Sequence, residues 1–208
     1  LATAHVNSDD LAGLAVTCGP GLVGALLVGV SFAKGFAYAH GLPVIGVNHL
    51  EGHVASVYLE STPPPFPFVA LLASGGHTSL YYVKGLTDLE HMGQTRDDAA
   101  GEAFDKVAKL LGLGYPGGLV IDQLSQDGDP EKIPFPRALL DKSGFDFSFS
   151  GVKTAVGRYV YRQQQEEIPF RIEDVAAGFQ EAVVDVLVEK AMSAVATRRC
   201  DHLAVVGG

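Results

Sequence analysis

Tryptophan is absent from the 208 residues, cysteine and methionine occur twice each, and basic residues are outnumbered by acidic ones, 15 against 24. Each shortage excludes something. Cys18 and Cys200 lie far apart and in no paired motif, so neither a disulfide scaffold nor a four-cysteine metal site is available. They are expected to be small buried hydrophobes in a reducing, cytoplasmic compartment. A net charge of −9 argues against a protein that wraps nucleic acid unaided, because phosphate neutralisation requires lysine and arginine. No signal-peptide pattern follows Leu1. The longest apolar stretch, 21–41, contains Lys34 and five glycines, so it is expected to be a helix buried on most sides and not a membrane span. Leu1 in place of an initiator methionine, and a loop-like Gly207-Gly208 at the end, suggest that both termini are cut.

What is present in quantity is apolar side chain and glycine. A hydrophobic share of 47% with 19% charge fits a globular protein with a core. Many of the 25 glycines cluster, as Gly19-Pro20-Gly21, Gly75-Gly76, Gly117-Gly118 and Gly207-Gly208. Such clusters suit loops whose backbone approaches a ligand closely.

Along the chain, 12–18 reads as a buried strand, 22–40 as a helix and 44–47 as a strand. Asn48 then reads as an N-cap with Glu51 as capping-box partner, opening a helix to about Glu60. This βαβα order favours a parallel sheet with helices packed on it. The proline-rich 61–67 segment is a candidate linker, dividing a domain at 1–65 from one at 66–208. Strands are expected at 68–73, 78–83, 145–149 and 202–206, and helices at 97–111, 151–161 and 173–196. The 112–118 segment reads as a glycine-rich loop.

Four constellations bear on chemistry. His49 and His53 are four apart on a helix, so both imidazoles can face one ion such as zinc or iron; ordinary surface or capping histidines would give the same spacing. The H-x-E-x-H order is not the H-E-x-x-H of zinc proteases. Ser74-Gly75-Gly76-His77 after an apolar strand either cradles phosphate with backbone N–H groups or is a plain hairpin turn. Asp105 and Asp122 flank Gly117-Gly118 and either hold ribose hydroxyls or are solvated helix charges. The segment 147–154 resembles a phosphate cradle without the full P-loop pattern; it reads as a strand-to-helix turn with Lys153 as a candidate polyanion contact.

Five runs in order, CGPGLVGALLVG (18–29), NHLEGH (48–53), FPFVALLASGGHT (66–78), DDAAGEAFDKVAKLLGLGYPGG (97–118) and FDFSFSGVKT (145–154), resemble the TsaD family, the tRNA adenosine threonylcarbamoyltransferases once described as glycoproteases. The resemblance covers nearly the whole chain. It implies an actin-like ATPase (sugar kinase/heat-shock ATPase) fold of two α/β lobes, truncated here at both ends. The histidine helix would belong to the first lobe and the nucleotide-binding loops to the second. It implies one divalent metal per subunit, iron before zinc, held by His49 and His53, and a site for threonylcarbamoyl-AMP at Leu72, Ala73, Ser74, Gly75, Gly76, Asp105, Gly118 and Asp122. It further implies tRNA as substrate, partner subunits of the TsaB and TsaE type, and no membrane. Leu119 stands where the family usually has proline. A later aspartate of the metal site and a later asparagine of the nucleotide site, both expected in the family, lie outside the chain, as does the acidic motif of the opening strand. The rival readings are a metallopeptidase, a non-catalytic scaffold of the same fold, and an inactive fragment. The acidic balance would be reconciled with tRNA by partner subunits and by local cations, namely Lys153, Arg158, Arg162, Arg198 and Arg199.

Overall fold

The computed structural model describes residues 2–138 and 144–208. The chain divides into two compact units, Leu1–Glu60 and Ser61–Gly208, the break falling at the start of the proline-rich segment.

In the first unit, β1 (Leu14–Gly19), α1 (Val23–His40) and β2 (Val44–Asn48) form a βαβ unit whose strands pair in parallel from Leu14↔Val44 to Thr17↔Val47. Gly41, at φ 66°, ends α1 in the left-handed conformation and donates its N–H to the Ala37 carbonyl. The burial expected of α1 is not found. Only Ala33 and Ala37 are buried, while Leu27, Val28 and Phe32 are 65%, 73% and 72% exposed. Two strands spaced about 4.8 Å apart cover one side of a helix and no more, and its other sides are equally apolar. Among the described residues α1 is the one helix long and apolar enough to cross a membrane. Cys18 is exposed, against expectation, and Cys200 buried; both are free thiols.

β2 leads directly into α2 (His49–Ala55), where the Asn48 side chain accepts hydrogen bonds from the N–H groups of Leu50 at 2.9 Å and Glu51 at 3.4 Å. The helix tightens into a 3₁₀ turn over Ser56–Leu59, so the single helix expected to Glu60 is two pieces.

The second unit is a mixed sheet backed by helices. β3 (Phe68–Ala73), β4 (Thr78–Gly85) and β5 (Asp88–Gln94) form an antiparallel meander, followed by α3 (Ala100–Leu110), α4 (Gly117–Ser125), α5 (Ser150–Gln165), α6 (Ile172–Arg198) and β6 (Leu203–Gly207). β6 lies parallel to β3, giving the order β5-β4-β3-β6. The sheet presents Val69, Leu71 and Leu80 to a core that includes Val107, Ile121, Val156, Phe179 and Val183. Burying each such side chain is worth about 1.5–3 kcal/mol.

Two elements escape the sequence pattern. β5 is an edge strand whose Glu90 and His91 hide its alternation. α4 begins at Gly117, inside what reads as a glycine loop, with Pro116 as its N-cap. Conversely, 145–149 is not a strand: it makes one bridge, Thr95↔Phe147, although Phe147 and Phe149 are fully buried as the alternation requires.

The reason is Asp97. Its carboxylate accepts from the N–H groups of Phe149 at 2.8 Å and Ser150 at 3.1 Å and from the hydroxyls of Ser148 and Ser150. It therefore caps α5 from 53 residues away and takes the N–H that a ladder would need. Burial works against the Asp97 charge, but the two hydroxyls and two N–H groups outweigh it and hold the carboxyl below the usual carboxylate range. A depressed folded-state value means the stabilisation is complete above the ordinary carboxylate value of about 4 and is lost as pH falls through the lowered one. In an acid-unfolding titration Asp97→Asn should be less stable at neutral pH, and the difference should shrink toward the acid end. A constant difference across the range would show that the carboxylate charge is not what holds the turn.

Candidate functional site

Two sites are assembled, one in each unit. In the first, the four-residue spacing on α2 brings His49 Nε2 and His53 Nε2 to 3.2 Å, with ring centroids 4.5 Å apart. Two Zn–N bonds of about 2.05 Å at a tetrahedral angle place their nitrogens about 3.3 Å apart, so the pair has the bite of a metal chelate. A pocket of about 240 Å³ lies against them, lined by Thr17, Asn48, His49, Gly52, His53 and Ser56. Burial, and then the neighbouring His49, lowers the His53 pKa and favours the neutral imidazole that a metal requires. Glu51 is exposed on the opposite side and its N–H serves the Asn48 cap. Among the described residues no group of three or more His, Cys, Asp or Glu converges.

In the second unit, β3 ends at Ala73 and the chain turns over Ser74–His77, closed by Ser74 N–H to the His77 carbonyl at 2.8 Å and His77 N–H to Ser74 Oγ at 3.1 Å. The first turn of α3 comes down on this turn. Ala100 N–H donates to Thr78 Oγ1 at 2.8 Å, and Gly101 N–H to the Ser74 carbonyl at 3.2 Å. A Cβ on Gly101 would stand 2.8 Å from Gly75 Cα, so only glycine permits this approach. α4 packs on α3 in the same way: a Cβ on Gly117 would meet the Phe104 carbonyl at 2.6 Å. Asp105 Oδ1 accepts from the Gly117 N–H at 2.8 Å and so caps α4 from across the gap.

Between these contacts lies a pocket of about 500 Å³, in the range of small-molecule sites. It brings together Ala73, Ser74, Gly75, Asp105 and Gly118 of the expected residues. Leu72 is instead fully buried within β3, and Gly76 lies in the exposed turn outside the lining. Asp122 is one turn further into α4, where its carboxylate accepts from Gln180 Nε2 at 3.1 Å. Unanticipated lining comes from Gly101, Phe104, Tyr115 and Gly208. Of these, Gly208, in the terminal glycine pair, and Gly101, a glycine in the first turn of an otherwise strong helix, left a signal in the sequence.

The chemistry of the pocket follows from its walls. Among the described residues the N–H group of Gly75 makes no hydrogen bond, and α4 directs its N-terminus here, so anionic oxygens are favoured at these two edges. The Asp105 carboxylate would repel phosphate but accept from a hydroxyl. Tyr115, 85% exposed at the rim, offers an aromatic face. The walls thus offer an anion-binding edge, a hydroxyl acceptor and an aromatic face.

A family model described as TsaD, tRNA N6-adenosine threonylcarbamoyltransferase, matches residues 1–208. The tRNA N6-adenosine threonylcarbamoyltransferase of Desulforapulum autotrophicum is 58% identical over 205 residues, covering 99% of this chain and 61% of its own length. That of Geobacter metallireducens is 54% identical over 208 residues, covering 100% of this chain and 61% of its own. The chain spans about three-fifths of the length of these curated relatives. The crystal structure of component A of the Acidaminococcus fermentans (R)-2-hydroxyglutaryl-CoA dehydratase is similar in fold, with a TM-score of 0.51 at 14% identity over 100% of this chain and 65% of that one. The architecture is the mixed α/β fold of actin-like ATPases, and the chain belongs to the TsaD family of tRNA N6-adenosine threonylcarbamoyltransferases.

Proposed function

We propose that the protein transfers the threonylcarbamoyl group from threonylcarbamoyl-AMP to the N6 amine of the adenosine beside the anticodon in tRNAs that read A-starting codons. The observation that carries this reading is the 500 Å³ pocket, whose walls suit an adenylate. The Gly75 N–H group and the α4 N-terminus would hold the phosphate, Asp105 a ribose hydroxyl and Tyr115 the base. The amine attacks the carbamoyl carbon, the bond to phosphate oxygen breaks, AMP departs, and the amine proton passes to solvent. No side chain has to be a nucleophile; positioning and preorganised donors supply the acceleration. His49 and His53 would hold one divalent metal, iron or zinc, which when bound supplies Lewis-acid polarisation of the carbamoyl carbonyl. Partner subunits of the TsaB and TsaE type and a cytoplasmic setting complete the reading.

The test uses the full-length protein with its partner subunits, threonine, bicarbonate, ATP and a suitable tRNA, followed by mass spectrometry of the nucleosides. Wild type should yield threonylcarbamoyladenosine. Gly101→Val should lower the yield at least ~10-fold, because a side chain there would collide with the backbone of Ser74 and Gly75 and displace the turn that walls the pocket. Failure of wild type beside a competent homologue would overturn the assignment.

A further inference from the structure

A further cavity of the second unit is neither of the sites above. It measures about 730 Å³ and runs between the 132–136 segment and one face of α5, with Lys132, Phe135, Thr154, Arg158, Tyr159 and Arg162 in its walls. Its charge is out of keeping with the chain. Eight cations of this unit are engaged in ion pairs: Lys84, Arg96, Lys106, Lys132, Arg137, Lys153, Arg171 and Arg198. Lys153, the polyanion contact expected from the sequence, is spent on Asp98 at 2.7 Å, and Arg198 on Glu90. Among the described residues Arg158 and Arg162 have no such partner, and both are exposed and line this one cavity.

Two arginines four residues apart on a helix repel each other at a small cost in stability, which an anion between them would reverse. They stand about 6 Å apart along the axis, and the stretch from Ser150 to Arg162 is about 18 Å long. Thr154 and Gly151 on the same face are exposed, so the cleft is open along its length. An open, elongated, cationic cleft fits a charged polymer better than an enclosed metabolite. Its α5 wall is joined to the adenylate-pocket helix α3 by the Asp97 cap and the Asp98–Lys153 pair.

We propose that the α5 cleft is a backbone-phosphate contact for tRNA, made by Arg158 and Arg162 outside the transfer site; this rests on the tRNA-modifying reading above. The probe is a fluorescent tRNA reading an A-starting codon, titrated with the full-length protein across a salt series. Losing two phosphate contacts should weaken binding several-fold at low salt and flatten the slope of log affinity against log salt by about 1.5 in Arg158→Gln/Arg162→Gln. Threonylcarbamoyl-AMP binding and the melting temperature should not change. Lys34→Gln/Lys109→Gln, which removes the same charge elsewhere, should leave the slope as it is. An unchanged slope in the arginine variant, an equal loss in the lysine variant, or loss of a partner subunit in place of tRNA would each overturn the proposal. If wild type binds tRNA and forms product while the arginine variant behaves identically, this inference alone fails. If wild type does neither, the functional reading fails with it.

Discussion

Replacing His49 and His53 together by alanine should reduce bound divalent metal to background and cut threonylcarbamoyl transfer by at least ~100-fold, with the fold intact. The basis is the 3.2 Å separation of the two Nε2 atoms on one helix face, which matches the bite of two ligands on one ion. Two half-buried imidazoles that close gain nothing from each other unless a proton or a cation lies between them. The Asn48 cap does not involve either ring, so α2 survives the substitution. Metal analysis of the full-length protein separates two ways of being wrong. Loss of metal with retained transfer would make the ion structural. Retained metal would mean that the ligands lie elsewhere.

Phe179→Ala should be the most damaging single truncation in the second unit. Phe179 is fully buried on α6 and meets the Phe104 ring at 4.9 Å and 66°. Removing it costs about 3–5 kcal/mol, most of the margin of a typical domain. A melting temperature lower by roughly 10 °C is expected. Phe104 also lines the 500 Å³ pocket, so affinity for the proposed ligand should fall even well below the melting temperature. Phe179→Leu should recover most of the stability and less of the affinity, because a T-shaped ring contact is directional. Equal melting curves for wild type and Phe179→Ala would refute the packing argument.

Legibility from sequence followed the physics of each element. α3 and α6 were clear because their apolar residues recur at helical spacing: Val107 and Ala108 on one, Val175, Phe179 and Val183 on the other, all buried. β5 and α4 were hidden, the first by polar edge residues and the second by a glycine pair that looks like loop. α1 misled because an apolar composition states what a helix could bury, not what stands beside it. Within the pocket, Ser74, Gly75 and Gly118 carry their own signals in a turn or at a helix end, and Asp105 as a carboxylate on the polar face of a helix. Phe104 and Tyr115 do not, since an aromatic reads the same in a core, at a rim or on a surface. Leu72 and Asp122 sit beside the lining, one behind it within a strand and one a helical turn beyond it.

The glycine contacts at 101 and 117 have a consequence for how this pocket can change. A Cβ at Gly101 would stand under 3 Å from the backbone of Ser74 and Gly75, and one at Gly117 under 3 Å from the backbone of Phe104 and Asp105. Substitution at either position cannot retune the pocket; it can only part the elements that frame it. A new ligand preference, whether reached by drift or by engineering, would have to be written in the side chains of the lining, such as Asp105 and Tyr115.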